Sequence, residues 1–148
     1  MKAQKTVLAV LLATLLVVVV VTPAYARTLT YRIGFRGGEF YENDLNGDGD
    51  SDDGGEYEVG SFVLKKSGDK VGHFNFTCFV TEVSPPRDLC WAAIRITGKG
   101  QVIAHGSGPG NSETFHGAIT GGTGSFRSAS GTMLLDFGQT PTLTLDID

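Results

Sequence analysis

The sequence predicts an all-β protein that folds as one eight-stranded antiparallel barrel over residues 27–148. Apolar and polar residues alternate in eight short runs, with the period expected of half-buried strands. All 21 glycines follow residue 26, and many stand between these runs, where they indicate tight turns. Apolar residues form 41% of the chain, which is too many for a disordered protein. Closure into a barrel is expected because it removes the exposed edges of the sheet.

Residues 1–26 have the pattern of a cleaved secretory signal peptide. Lys2 and Lys5 precede an apolar run over residues 7–21, and Ala24 and Ala26 are the small residues that favour cleavage after Ala26. A retained anchor is the alternative, but the run is shorter than the roughly 20 residues that cross a bilayer. The mature protein is therefore expected to be secreted, extracellular and free of membrane contact.

The predicted strands follow one another through short connections. They cover 28–36, 56–66, 70–82, 88–97, 101–107, 112–120, 125–137 and 140–147. The connections at 66–69, 84–87, 98–100, 107–110 and 121–124 contain the Gly, Pro, Ser and Asp that are typical of turns. In the first strand the residues on one face are Leu29, Tyr31, Ile33 and Phe35, and in the last strand they are Leu143, Leu145 and Ile147. This order predicts an up-and-down barrel.

The strands on either side of residues 98–100 allow a prediction of register. A three-residue turn there places Ile96 opposite Val102 and Ile94 opposite Ala104. One face of the pair is then apolar, with Cys90, Ala92, Ile94, Ile96, Val102 and Ala104. In the preceding strand the apolar face carries Phe74, Phe76, Cys78 and Val80. The inward face of this half of the barrel is therefore expected to lack ionisable side chains.

Cys78 and Cys90 are the two cysteines of the chain, and the predicted secretion takes them into an oxidising compartment. We expect a disulfide between them, with a pair of buried thiols as the alternative. Because the bridge closes a loop of only a dozen residues, it is expected to stabilise the fold by about 3 kcal/mol, chiefly by restricting the unfolded chain.

The interior of such a barrel is either packed solid or open to an apolar ligand. A solid interior would be filled by Phe74, Phe76 and Ile94, and in an open one the same residues would line the pocket. Polar candidates on apolar faces are Tyr31, Tyr57 and Glu113, which could orient a ligand or donate a proton. The alternative for the tyrosines is a position at the barrel rim with the hydroxyl group in water.

The negative charge is concentrated in a loop predicted at residues 43–56. The formal net charge of the chain is −4, and residues 39–58 contain nine carboxylates without one Lys or Arg. A chain with this balance is not expected to bind nucleic acid.

This loop matches the first half of a calcium-binding loop. Its ligand positions are occupied by Asp44, Asn46, Asp48, Asp50 and Asp52, and Gly49 stands where the sharp turn is required. The position of the usual bidentate carboxylate is Gly55, with Glu56 one residue later, so weak affinity is expected. A solvated acidic loop is the alternative. Calcium is the one cofactor that the sequence predicts, and no organic cofactor is expected.

Residues 55–137 resemble the allene oxide cyclase and dirigent-like barrel superfamily, in particular its secreted bacterial members. The resemblance rests on segments 65–72, 118–127 and 129–131, together with Cys78 and Cys90; the most specific segment is Ala-Ile-Thr-Gly-Gly-Thr-Gly-Ser-Phe-Arg at 118–127. It implies an eight-stranded barrel whose lumen binds hydrophobic small molecules and guides a cyclisation or coupling, mostly by confinement. The matching positions are structural ones, so the resemblance assigns no catalytic residue.

Two functions follow from these features. The first is a secreted barrel that binds a hydrophobic small molecule and, if it is an enzyme, acts as a cyclase or isomerase. The second is a non-enzymatic extracellular interaction module stabilised by calcium and a disulfide. Either one is compatible with a homo-oligomer. An open lumen with convergent polar groups favours the first function, and a filled lumen favours the second.

Overall fold

The protein is a closed antiparallel β-barrel of eight strands, seen here in a computed structural model that describes residues 26–49 and 53–148. The strands are β1 (Arg27–Asn43), β2 (Tyr57–Lys66), β3 (Asp69–Val83), β4 (Pro86–Ile96), β5 (Gly100–Pro109), β6 (Thr114–Gly122), β7 (Gly131–Asp136) and β8 (Thr142–Ile147). Each strand pairs with the next, and β1 also pairs with β8. The predicted fold class and strand order are thus confirmed. The predicted signal peptide lies outside the described residues, apart from Ala26.

The two ends of the barrel carry different connections. The acidic end carries the β1–β2, β3–β4, β5–β6 and β7–β8 connections, and so includes the loop at 43–56. The opposite end carries both termini of the described barrel and the other three connections. Among the described residues, no helix is long and apolar enough to cross a membrane.

Strand β1 is longer than predicted and reaches Asn43. Its pairing with β2 shifts between Gly34 and Glu39, which marks a bulge. Gly37, with φ of 76°, adopts a conformation there that other residues rarely take. Beyond the bulge the face assignment changes, and Phe40 lies opposite Gly60 on the side of the lumen. The alternation up to residue 36 could not predict this change.

Strand β7 is shorter than predicted. Residues Gly124–Phe126 form a 3₁₀ helix, and β7 begins only at Gly131. The turn places the Phe126 ring in the hydrophobic core, almost completely buried. The sequence at 125–137 alternates like a strand, but burial of this one ring in the core favours the helical turn.

The predicted register of β4 and β5 was wrong by two residues. In the structure Ile94 lies opposite Val102, and Ala92 lies opposite Ala104. The turn consists of residues 97–99, centred on Gly98 with a φ of 72°. Because the side-chain period of a strand is two, this shift leaves every face unchanged. All six residues predicted on the apolar face are buried.

The half of the lumen near the opposite end is packed solid. The side chains with no solvent exposure there are Leu64, Phe74, Ile94, Val102, Ala104, Leu143 and Leu145. Towards the acidic end, β5 contributes Gly106 and Gly108, so these lumen positions carry no side chain. The barrel is therefore filled at one end and left open at the other.

Cys78 and Cys90 form a disulfide, as predicted. The two residues lie opposite each other in the β3–β4 pair, with their Cα atoms 4.0 Å apart. Both face the lumen. The alternative of two buried thiols is excluded.

Candidate functional site

A cavity of about 530 Å³ occupies the half of the lumen near the acidic end. Its outer residues are exposed at that end: Pro109 is the last residue of β5, and Ser112 and Phe137 belong to connections. Its wall is formed by Phe35, Gly38, Phe40, Glu58, Phe62, Phe74, Phe76, Cys78, Asp88, Cys90, Ala92, Pro109, Gly110, Ser112, Phe115, Met133, Leu135 and Phe137. The interior is thus neither wholly solid nor wholly open.

Seven of the nine phenylalanines line this cavity. On one side the rings form a continuous layer, since Phe62 and Phe76 stack with centroids 5.9 Å apart and Phe74 and Phe76 with centroids 5.4 Å apart. Phe35 meets Phe62 edge to face at 5.0 Å. Such a layer presents flat apolar surfaces and ring edges to any molecule in the lumen.

A missing side chain makes room for this layer. A Cβ atom at Gly60 would overlap the ring of Phe76, so any larger residue there would displace the ring. The aromatic wall therefore depends on glycine at position 60 as much as on the phenylalanines.

Two carboxylates, Glu58 and Asp88, lie in this otherwise apolar wall. Glu58 is opposite Cys78, and Asp88 stands two residues before Cys90 on the same face of β4. The two acids therefore flank the disulfide. Burial raises the pKa of the Asp88 carboxyl above its ordinary value.

The expectation that this inward face has no ionisable side chain was therefore wrong. Asp88 contradicts it, because Asp88 shares the parity of Cys90 and Ala92 on β4. Glu58 shares the parity of Phe62 on β2, a strand that this expectation did not cover. The signal was present in the alternation of β2 and β4. It was missed because charged residues at strand ends are usually exposed.

The predicted pocket residues lie in different parts of the molecule. Phe74 and Phe76 line the cavity. Ile94 is buried in the core below it. Tyr31 is buried in the core, 3% exposed, and its hydroxyl pKa is raised by burial and lowered to a smaller extent by Arg27. Tyr31 borders a separate depression of about 210 Å³ with Lys66 and Lys70, on the side of the opposite end.

Tyr57 and Glu113 lie outside the cavity. Tyr57 was expected on the apolar face, but its ring is on the outer surface beside Tyr41 and Phe79, at 6.3 and 5.6 Å between centroids. The lumen-facing residues of β2 are the even-numbered ones, which places residue 57 outside. Glu113 is exposed in the connection before β6.

The described part of the acidic loop is held by carboxylates that accept hydrogen bonds from backbone amides. Asp44 accepts from Gly47 N at 2.6 Å and from Gly49 N at 2.8 Å, and these donors hold the pKa of its carboxyl below the ordinary value. Glu56 is fully buried and accepts from Leu45 N at 2.8 Å and Asp53 N at 2.9 Å.

The calcium hypothesis rests partly on residues that are not described. Asp50 and Asp52 lie outside the described residues. Within 26–49 and 53–148, no three acidic, histidine or cysteine side chains are grouped to hold a metal ion. Glu56, the acid nearest to the usual bidentate position, accepts hydrogen bonds from Leu45 near the start of the loop and from Asp53 near its end. Calcium binding stays a prediction.

Sequence comparison does not assign the protein. No protein-family profile matches the chain, and no curated protein is similar to it in sequence.

Comparison of structures, in contrast, finds closely similar barrels. A pyocyanin demethylase is 25% identical, with a TM-score of 0.73 over 82% of this chain and 100% of that one. A pterocarpan synthase dirigent protein is 14% identical, with a TM-score of 0.63 over 82% and 85% of the two chains. The Diels–Alderase AbmU from Streptomyces koyangensis is 12% identical, with a TM-score of 0.60 over 82% and 64%. The chain thus has the fold of the allene oxide cyclase and dirigent-like barrel superfamily, as its sequence motifs had indicated.

Proposed function

We propose that the mature protein is a secreted barrel that binds a flat, hydrophobic small molecule in its lumen. The observation that carries this proposal is the aromatic cavity of about 530 Å³. Ligand pockets in proteins commonly have volumes of roughly 300–1,000 Å³ and apolar walls with a few polar groups. The competing interaction module needs a filled lumen, but Phe74 and Ile94 fill only its floor.

The similar structures support a small organic ligand. They are named as a demethylase of pyocyanin, a pterocarpan synthase and a Diels–Alderase. Because the sequence identities are 25% or less, these similarities support a shared fold more strongly than they support any one reaction.

The reaction class that fits this cavity is an isomerisation or cyclisation. A rigid apolar pocket holds a reactive molecule in one conformer and excludes water. Asp88 is the group of the wall suited to proton transfer, since a carboxylate whose pKa is raised by burial is a stronger base. In an isomerisation it would accept a proton from one atom of the ligand and return it to another, so that no co-reactant is consumed.

Secretion is supported by the disulfide. A bridge between Cys78 and Cys90 persists in oxidising compartments and is rare in the cytosol. The predicted signal peptide at 1–26 agrees with this location.

Binding of a neutral apolar fluorophore, N-phenyl-1-naphthylamine, tests the proposal. Saturable fluorescence enhancement is expected for the mature protein. Ala92→Phe places a ring inside the cavity and is expected to weaken binding at least about tenfold, since it occupies the ligand volume. Ala93→Phe, one residue along on the outer face of β4, is the matched control and should bind like the unmodified protein. Absence of saturable binding, or equal binding by Ala92→Phe, would contradict the proposal.

A further inference from the structure

We infer that a basic groove on the outer wall of the barrel, near the opposite end, binds an acidic polysaccharide. The groove consists of two adjoining depressions of about 610 and 210 Å³. Its basic residues are Lys66, Lys70, His73, Arg95 and Lys99. The groove shares no lining residue with the cavity, so this inference does not depend on the proposed function.

The two depressions form one elongated groove. Four residues, Lys70, Ile96, Thr97 and Lys99, line both of them. The larger depression continues over β3, β4 and β5, and the smaller one continues to Lys66 at the end of β2. A linear polyanion can therefore contact bases along the whole groove, whereas a single small anion would contact only some of them.

The charge of the groove is positive, although the formal net charge of the chain is −4. No Asp or Glu among the described residues lines it. Arg95 lies opposite His73 on β3 and Gln101 on β5, so its direct cross-strand neighbours include no acid. The acid nearest to the lysines in sequence, Asp69, lies opposite Lys66 and outside the lining. An anionic partner would supply the counter-charges, and the planar guanidinium of arginine matches a carboxylate group.

Hydrogen bonds between separate segments hold the main chain around the groove. Ser125 N donates to Lys99 O at 2.7 Å, and Thr123 N donates to Gln101 O at 2.8 Å. These bonds join the segment before the 3₁₀ helix to the β4–β5 turn and the start of β5. Because the fold already fixes this part of the groove, binding a polymer there costs less conformational entropy.

Neutral hydrogen-bonding groups accompany the bases. Thr97, Gln101 and Thr123 line the larger depression. The two threonines are exposed and the glutamine is partly exposed. Their hydroxyl and amide groups can exchange hydrogen bonds with sugar hydroxyls. A chain that carries both hydroxyl and anionic groups matches this combination of side chains.

Two other polyanions match the groove less well. Single-stranded nucleic acid is bound by stacking of its bases on aromatic side chains, but Tyr31, the aromatic residue of the described lining, is only 3% exposed. An anionic membrane is bound by basic residues together with apolar side chains that enter the bilayer surface. Among the described residues, none of the exposed large hydrophobic side chains lines the groove.

The position of the groove leaves the cavity accessible. The groove lies near the opposite end of the barrel, and the cavity opens at the acidic end. The carboxylates of the acidic end would be repelled by the same polysaccharide, which favours one orientation of the bound barrel. The mouth of the cavity is then directed away from the polysaccharide.

Fluorescence anisotropy of a labelled oligogalacturonate, which carries one carboxylate per sugar, tests the inference with the mature protein. Saturable binding is expected at low salt, and it should weaken as NaCl is raised, because salt screens exposed charges. Dextran, an uncharged polysaccharide, should not compete. Because the chain as a whole is negatively charged, binding would report the local charge of the groove.

Two double variants provide the matched comparison. Lys70→Gln/Lys99→Gln removes the two bases that line both depressions and should weaken binding by about tenfold. Arg95→Gln should weaken it by about threefold. The control Arg32→Gln/Arg127→Gln removes two exposed charges outside the groove and should change the affinity by less than about twofold. Since all these side chains are exposed, melting temperatures should stay within about 2 °C of the unmodified protein.

The outcomes separate the site from the partner. Absence of salt-sensitive oligogalacturonate binding, or equal losses in the two double variants, overturns the groove as the binding site. Tighter binding of oligo(dT) with the same number of charges, or of vesicles of phosphatidylglycerol and phosphatidylcholine, overturns the polysaccharide as the partner. Displacement of N-phenyl-1-naphthylamine by oligogalacturonate would place the sugar chain in the cavity and would also overturn the inference.

Discussion

Cys78 and Cys90 lie directly opposite each other on β3 and β4, and their disulfide forms part of the cavity wall. The same bridge therefore cross-links two central strands and borders the site where a ligand is proposed to bind. Glu58 and Asp88 stand on either side of it. The disulfide that stabilises the barrel therefore also borders the proposed ligand site.

Removal of the disulfide should destabilise the protein. The double variant Cys78→Ala/Cys90→Ala is expected to lower the free energy of unfolding by about 3 kcal/mol, the value for a short closed loop. Urea denaturation of the oxidised protein and the variant measures this difference. Reduction of the unmodified protein with dithiothreitol should produce a loss of similar size. Identical unfolding midpoints in all three samples would contradict the prediction.

Glu56 should be important for the stability of the acidic loop. Its side chain is fully buried and accepts two backbone hydrogen bonds, so Glu56→Ala leaves two amide groups without their acceptor. The expected cost is about 2–4 kcal/mol of unfolding free energy, measured by urea denaturation. Glu42→Ala, at an exposed position of β1, is the control and should cost less than about 0.5 kcal/mol. Similar costs for the two variants would show that the buried contacts of Glu56 contribute little.

Asp88 should make stability depend on pH in an unusual direction for an acid. Its pKa is raised by folding, so the native state binds this proton more tightly than the unfolded state does. Stability from this group therefore rises as pH falls through the raised native pKa and levels off below the unfolded value. Asp88→Asn removes the burial of charge and should raise the melting temperature at neutral pH by at most about 2 °C, since the group retains partial solvent contact.

The difference between Asp88→Asn and the unmodified protein should shrink as the pH is lowered through the native pKa of Asp88. Thermal melts over a pH series measure it. Glu82→Gln serves as the control for removal of one charge at the same end. A melting-temperature difference that does not change with pH would contradict the role given to Asp88.

Calcium should bind to the acidic loop with high micromolar to millimolar affinity, because the usual bidentate carboxylate is replaced by Gly55. The melting temperature should rise with calcium concentration, as binding to the native state requires. Asp48→Ala should abolish this rise, and Asp69→Ala, at the opposite end of the barrel, should leave it unchanged. A melting temperature that is independent of calcium in the unmodified protein would make the solvated loop the correct interpretation.

The sequence by itself determined the strand order, the faces of the central strands and the disulfide. Each of these depends on local information, namely the alternation along a strand and the presence of two cysteines on one face of adjacent strands. A two-residue error in the β4–β5 register did not affect the faces, because the side-chain period of a strand is two.

Only the tertiary structure decided that the lumen is open at the acidic end and which residues reach it. The bulge between Gly34 and Glu39 turns Phe40 inward, and Gly60 leaves space for the ring of Phe76. The pairing of β3 with both β2 and β4 then brings Glu58 and Asp88, thirty residues apart, to the two sides of one disulfide. These relationships depend on the register and side-chain packing between paired strands, which the alternation within one strand does not encode.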